Sequence, residues 1–247
     1  MVTFLSLLTL GFFLGMRHAT DADHVVAVST IVSREHSVRK AALIGAAWGV
    51  GHSLTVVIVG GAIIVFGIVV PERLGLSLEF TVAIMLVGLG LWNLRSFLRT
   101  VGTVAREPAA HSHGDFPAHS HAPDRPGDLP AHSHGPALRA NTPAQRILRP
   151  LCIGIVHGLA GSAAVALLVV PLIRNPWWAA EYLLIFGLGT VAGMMVITTA
   201  MALPFKWSAR RSETFNNRLG QLAAVGSLGF GLFLMYEIGF VQGLFTR

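Results

Sequence analysis

The apolar positions of this chain come in blocks rather than in the alternation of a soluble fold. Six such blocks, poor in charge, run about 3–32, 41–70, 78–98, 147–173, 177–205 and 217–242. Each is long enough to cross a hydrocarbon core of roughly 30 Å. In lipid every backbone N–H and C=O must be satisfied within its own segment, so the blocks predict helices. The first, second and fifth exceed what a straight span needs, and must tilt, break or protrude. The expected fold is an all-α membrane protein with six transmembrane helices.

Composition agrees with this pattern. Hydrophobic residues make up 53% of the 247 positions, charged residues only 12%, and the mean hydropathy is +0.64. A soluble domain carries about 25% charged residues, which excludes a soluble enzyme. A cleaved secretory signal is not expected, because the first apolar stretch runs directly into Arg17, His18, Asp21, Asp23 and His24 without a small-residue cleavage site. The lone cysteine, Cys152, rules out an intrachain disulfide and reads as a small apolar helix residue.

The net charge of +6 changes the picture through its placement. The connections after spans one, three and five hold Arg34, Arg39 and Lys40, then Arg95, Arg99, Arg106, Arg125, Arg139, Arg146 and Arg149, then Lys206, Arg210, Arg211 and Arg218. The opposite side holds Arg73, Arg174 and Arg247. By the positive-inside rule the richer side is cytoplasmic and both termini face out, in a multi-pass protein of the cytoplasmic membrane. The arginines are dispersed without interleaved aromatics, so no nucleic-acid surface is expected; the lipid bilayer is the partner they imply.

The two halves resemble each other. Gly15-Met16-Arg17-His18 matches Gly154-Ile155-Val156-His157, Trp48-Gly49-Val50-Gly51 matches Phe186-Gly187-Leu188-Gly189, and Gly88-Leu89-Gly90-Leu91-Trp92 matches Gly229-Phe230-Gly231-Leu232-Phe233. The register is nearly constant, about 140 residues apart. Three spans is an odd number, so the second half enters from the other side. The reading is a 3+3 inverted repeat, the plan of many secondary transporters with a site near the midplane. The divisions are 1–101 and 147–247 for the repeats, with 102–146 between them. Chance similarity among glycine-rich membrane helices is the bland alternative.

The chemistry concentrates in Arg17-His18-Ala19-Thr20-Asp21-Ala22-Asp23-His24, with five ionisable side chains in eight residues of an apolar span. Such groups are costly in a membrane and normally face a cavity or one another. Histidine with carboxylate suits divalent transition metals. On a regular helix His18, Asp21 and His24 share an arc about 120° wide while Asp23 faces away. Yet His18 and His24 would stand about 9 Å apart along that axis, too far for two nitrogens that must each lie about 2 Å from one ion. Either the helix breaks, or the histidines serve successive positions, or each pairs with another span. The length of span one favours a break. Candidate partners are His52, in Gly49-Val50-Gly51-His52-Ser53-Leu54-Thr55, and His157, the repeat equivalent of His18; Asn93 is a weaker one. Structural hydrogen-bonded histidines are the bland reading of His52 and His157. Glu79, Glu181 and Glu237 lie near span ends and read as solvated.

At this point a resemblance emerges. Arg17-His18-Ala19-Thr20-Asp21-Ala22-Asp23-His24-Val25 resembles the signature of the nickel/cobalt transporter family of membrane permeases, with its His-x4-Asp-His core formed by His18, Asp23 and His24. Gly51-His52-Ser53-Leu54-Thr55-Val56-Val57 is similar to that family's second signature. The resemblance implies uptake of Ni2+ or Co2+, with His18, Asp23, His24 and His52 handling the metal. A typical member has eight spans, and its third signature carries a carboxylate. The six spans read here, and Leu188-Gly189-Thr190-Val191-Ala192-Gly193 without one, resemble a shorter, urease-accessory-like branch.

Between the halves lie three His-x-His units, His111-Ser112-His113, His119-Ser120-His121 and His132-Ser133-His134, spaced by Pro, Gly and Asp. This composition builds no core and predicts a disordered cytoplasmic loop. Imidazoles at this density bind divalent transition metals with little selectivity. A buffer, a sensor, a platform delivering to a cytoplasmic metallochaperone and a plain linker all stay open, as does oligomeric state.

The expected function is secondary transport of Ni2+ or Co2+ as substrate, without a resident cofactor. Export of the same metals and a non-transporting sensor or accessory protein are the alternatives. No Gly-x4-Gly-Lys-Ser/Thr motif is present for ATP. The His-Glu-x-x-His of a zinc protease is absent, and Ser162 with His157 lacks the remaining parts of a serine enzyme, so no enzymatic activity is expected.

Overall fold

The computed structural model of the chain describes residues 3–33, 35, 37–67, 71–104, 143–159, 173 and 175–246. Among them there are seven α-helices and no strand: α1 Phe4–His18, α2 Ala22–Val32, α3 Val38–Phe66, α4 Glu72–Val104, α5 Pro143–Leu159, α6 Pro176–Arg211 and α7 Glu213–Tyr236. A π-helical turn, Glu237–Val241, follows α7. Four helical stretches, Val38–Phe66, Glu72–Phe97, Pro176–Arg211 and Glu213–Val241, are long and apolar enough to cross a membrane. The first apolar block is divided between the shorter α1 and α2. The sequence boundaries at 101 and 147 fall inside α4 and α5, since α4 runs to Val104 and α5 starts at Pro143. The histidine-rich segment from His111 to His134, and Ser162, lie outside the described residues.

Helix ends follow local chemistry. Thr3, Ser37, Asn175 and Ser212 each accept a first-turn backbone N–H through the side chain, satisfying donors that the helix itself leaves orphaned. Pro176 stands at the start of α6, where its missing N–H costs nothing. Gly67 ends α3 with φ 61°, a left-handed geometry that glycine adopts without penalty.

Helix α3 packs against α5 and α6, α1 against α6, and α4 against α7, while α2 touches α4, α6 and α7. Glycine sets the closeness of these pairs, because lipid provides little hydrophobic drive and close van der Waals packing must supply it. A Cβ on Gly15 would meet Phe186 O at 2.1 Å and Thr190 N at 2.8 Å; one on Gly154 would meet Trp48 O at 2.2 Å and His52 N at 3.0 Å. A Cβ on Gly90 would meet Ala224 O and Leu228 N, each at 2.8 Å; one on Gly231 would meet Ala83 O at 3.0 Å and Val87 N at 2.9 Å.

The interior is apolar and tight around Ala19, Ala27, Val28, Trp48, Leu86 and Met194. Large apolar side chains such as Ile58, Val65, Phe66, Leu188 and Leu222 stand outward. On a soluble protein such a surface would be a liability; on a membrane-spanning one it is the lipid face. Asn93 bridges helices, its Nδ2 donating to Thr30 O at 2.9 Å and to Ser33 Oγ at 2.8 Å, so it serves the α2–α4 contact and lies apart from the histidines.

Candidate metal centre

The first span breaks at its charged motif. Helix α1 ends on His18, and the chain turns through Ala19, Thr20 and Asp21 before α2 begins. Thr20 N bonds Arg17 O at 2.8 Å and Asp21 N bonds His18 O at 3.1 Å, tightening the last turn and closing the α-helical ladder. Asp21 takes extended backbone, φ −60° and ψ 147°, so the helix cannot continue through it. A Cβ on Gly193 of α6 would stand 2.7 Å from Ala19 Cβ and 2.9 Å from Met16 O; only glycine lets the turn lie against α6.

The break brings together residues that a continuous helix would separate. The imidazole centroids of His18 and His24 are 4.8 Å apart, far less than the regular axis allows. His18 and His52 stand at 5.0 Å, His24 and His52 at 5.2 Å, and His24 and His157 at 4.3 Å. All four histidines are buried, and His24 is central to them. The ligand atoms of His18, His24 and His52 fall within 4.8 Å of one another, and so do those of Asp23, His24 and His157.

Two aspartates hold these rings. His18 Nδ1 donates to Asp21 Oδ2 at 2.8 Å. Asp23 accepts on both oxygens: Oδ1 takes His24 Nδ1 at 3.1 Å and the His24 backbone N–H at 3.0 Å, while Oδ2 takes His157 Nε2 at 2.8 Å. Opposite these bonds, His18 Nε2 lies 3.0 Å from His52 Nε2. Among the described residues, His24 Nε2, His52 Nδ1 and His157 Nδ1 are buried without a hydrogen-bond partner. Buried polar atoms in this condition are few in folded proteins, and each asks for an explanation.

Six of the membrane residues singled out in the sequence, His18, Asp21, Asp23, His24, His52 and His157, therefore sit in one cluster, while Asn93 does not join it. Asp21 stands at its edge, half exposed at 48%, whereas Asp23 is 17% exposed. The break favoured by the length of span one is present, and it turns Asp23, which an unbroken helix would face away, toward His157. Trp48 was missed as part of the site. It is fully buried, stacked on His24 at 6.0 Å and edge-on to His157 at 5.7 Å, with its Nε1 unpartnered among the described residues. The signal was available, since Trp48 and His52 are four residues apart and share one face of α3.

The family described as NicO, high-affinity nickel-transport protein, matches residues 4–206. The chain is similar to the urease accessory protein UreH of Bacillus sp. (strain TB-90), 38% identical over 244 residues that cover 99% of this chain and 96% of the relative. No solved structure matches.

Proposed function

The chain belongs to the NicO family of high-affinity nickel-transport proteins, and from that premise we propose that it carries Ni2+, and Co2+ with it, inward across the cytoplasmic membrane as a secondary transporter. Membership makes it a multi-pass membrane protein that transports metal ions, not an enzyme. The relative is named a urease accessory protein, and in this proposal the metal that the present chain carries serves a urease.

The observation that carries the reading is the buried cluster at the helix break. Imidazole suits nickel, cobalt, copper and zinc, whereas magnesium, calcium and manganese favour oxygen donors. Two nitrogens bound at right angles, each about 2.1 Å from an ion, stand about 3 Å apart. The 3.0 Å between His18 Nε2 and His52 Nε2 fits that arrangement. His18, His24, His52 and His157, with Asp21 and Asp23, are the residues we assign to handling the ion.

The 3+3 inverted repeat is part of the same proposal. Its support is reciprocity. Gly15 approaches Phe186 and Thr190 as Gly154 approaches Trp48 and His52, and Gly90 approaches Ala224 and Leu228 as Gly231 approaches Ala83 and Val87. Each contact has its counterpart about 140 residues away, with the partners exchanged. In this reading residues 1–101 and 147–247 form the halves, and the histidines gather where they meet. Residues 102–146 carry metal-binding histidines on the cytoplasmic side, and both termini are outside.

The test is flux of radioactive Ni2+ into proteoliposomes holding the full chain, with the two insertion orientations resolved. Saturable Ni2+ accumulation, inhibited by Co2+ and polarised from the outer to the cytoplasmic face, is expected. Flux no greater than in protein-free vesicles would overturn transport; flux polarised the other way would replace uptake with export.

A further inference from the structure

Resting on the metal-transport reading, we infer that Asp21 and Asp23 are positioning residues that fix histidine tautomers, so that the ion meets imidazole nitrogen alone. An ionised carboxylate only accepts hydrogen bonds. The nitrogen facing each carboxylate must therefore carry the proton, and a neutral imidazole has its lone pair on the other nitrogen.

Applied ring by ring, this rule assigns the whole cluster. His18 is protonated on Nδ1, which faces Asp21, and turns the Nε2 lone pair inward. His24 is protonated on Nδ1, which faces Asp23 Oδ1, and its Nε2 is one of the buried atoms without a partner. His157 is protonated on Nε2, which faces Asp23 Oδ2, and its Nδ1 is likewise unpartnered. The lone pair on His18 Nε2 faces His52 Nε2 at 3.0 Å, which donates one proton across that contact. An ion seated between them takes the place of that proton, which passes to His52 Nδ1, an atom without a partner among the described residues.

Both aspartates are committed away from such an ion. Asp23 already receives three donors on its two oxygens. Asp21 lies at the exposed edge, with His18 between it and His52. This is the carboxylate–imidazole–metal relay, in which the outer carboxylate orients the ring and raises its basicity, and its loss costs about 10- to 100-fold in metal affinity. The His18, His24 and His52 nitrogens are then the direct ligands, with His157 next to them through the shared Asp23.

The conservative substitutions separate the two roles. Asn at 21 still offers an oxygen to His18 Nδ1–H. Asn at 23 cannot serve two imidazole donors, because one end of its amide is itself a donor. The measurement uses the full chain in detergent with the six histidines at 111, 113, 119, 121, 132 and 134 replaced by alanine, so that added metal reads the membrane cluster. Ni2+ titration should give Asp21→Asn close to unsubstituted affinity, with Asp21→Ala and Asp23→Asn weakened about 10- to 100-fold. Pulsed EPR of the Cu2+-loaded protein should count the same imidazoles in Asp23→Asn as without it. In the chain carrying aspartate labelled with carbon-13 at its carboxylate and no aspartate substitution, no direct-bond coupling from that carbon is expected. Strong carbon-13 coupling, or an equatorial donor lost on Asp23→Asn, would make a carboxylate a ligand and overturn the inference while leaving transport standing. A chain with its aspartates and membrane histidines intact that binds neither Ni2+ nor Cu2+ would overturn both.

Discussion

His18 Nε2 and His52 Nε2 face each other at 3.0 Å, although 34 residues of chain separate them. The contact exists because His18 is the last residue of α1 and because α1 and α3 both lie close against α6, where a Cβ on Gly15 would come within 2.1 Å of Phe186 O and one on Gly49 within 2.8 Å of Val191 Cα. His18→Ala, His24→Ala and His52→Ala should each lower Ni2+ flux by about 100-fold or more, beyond the loss of an outer carboxylate. Removing a polar group from an apolar span eases insertion, so the folded protein should still be recovered from the membrane. Flux in vesicles and gel filtration of the same preparations check both halves of this expectation.

Asp23→Ala should impair flux more than Asp21→Ala. The first removes the acceptor of two imidazoles and a backbone N–H, the second the acceptor of one imidazole at a half-exposed edge. The comparison is read as initial rates at matched protein amounts. Equal rates in the unsubstituted chain and in Asp23→Ala would contradict it.

Gly15→Ala and Gly154→Ala should destabilise to a similar degree, about 1–3 kcal/mol each, because both force a Cβ against a neighbouring carbonyl oxygen. Gly61→Ala should be neutral or stabilising by about 0.5–1 kcal/mol, since no described residue lies within 4 Å of where its Cβ would stand and alanine is the better helix former. Thermal unfolding in detergent, followed by circular dichroism, ranks the three. A large inequality between Gly15→Ala and Gly154→Ala would count against the reciprocal packing of the halves.

Deleting residues 108–136 should leave Ni2+ flux in vesicles while changing metal accumulation in cells. The segment carries six of the chain's 11 histidines and none of the residues in the membrane cluster. A deletion protein that inserts and folds but carries no metal would show that this segment belongs to the transport path.

Cysteines placed in the connection between α4 and α5 should resist a membrane-impermeant thiol reagent in intact cells and react once the membrane is opened. The native Cys152 is exposed on α5, so the labelling is done in a Cys152→Ser background. Ready labelling from outside would invert the proposed topology.

The sequence by itself determined that this chain is helical and spans a membrane, because blocks of apolar residues without partners for their backbone groups have no other stable form in lipid. It also marked the candidate site, since ionisable groups are rare enough in apolar spans to stand out singly. It even implied a break in the first span, through the axial distance between His18 and His24. What only the tertiary structure decided is which group faces which. That Asp23 reaches His157 across 134 residues, that His52 meets His18, and that Trp48 lines the same cluster follow from how closely glycine-bearing helices approach. Periodicity places a residue on a face of its own helix, but the partner of that face is set by packing between helices far apart in the chain, and no local pattern encodes that distance.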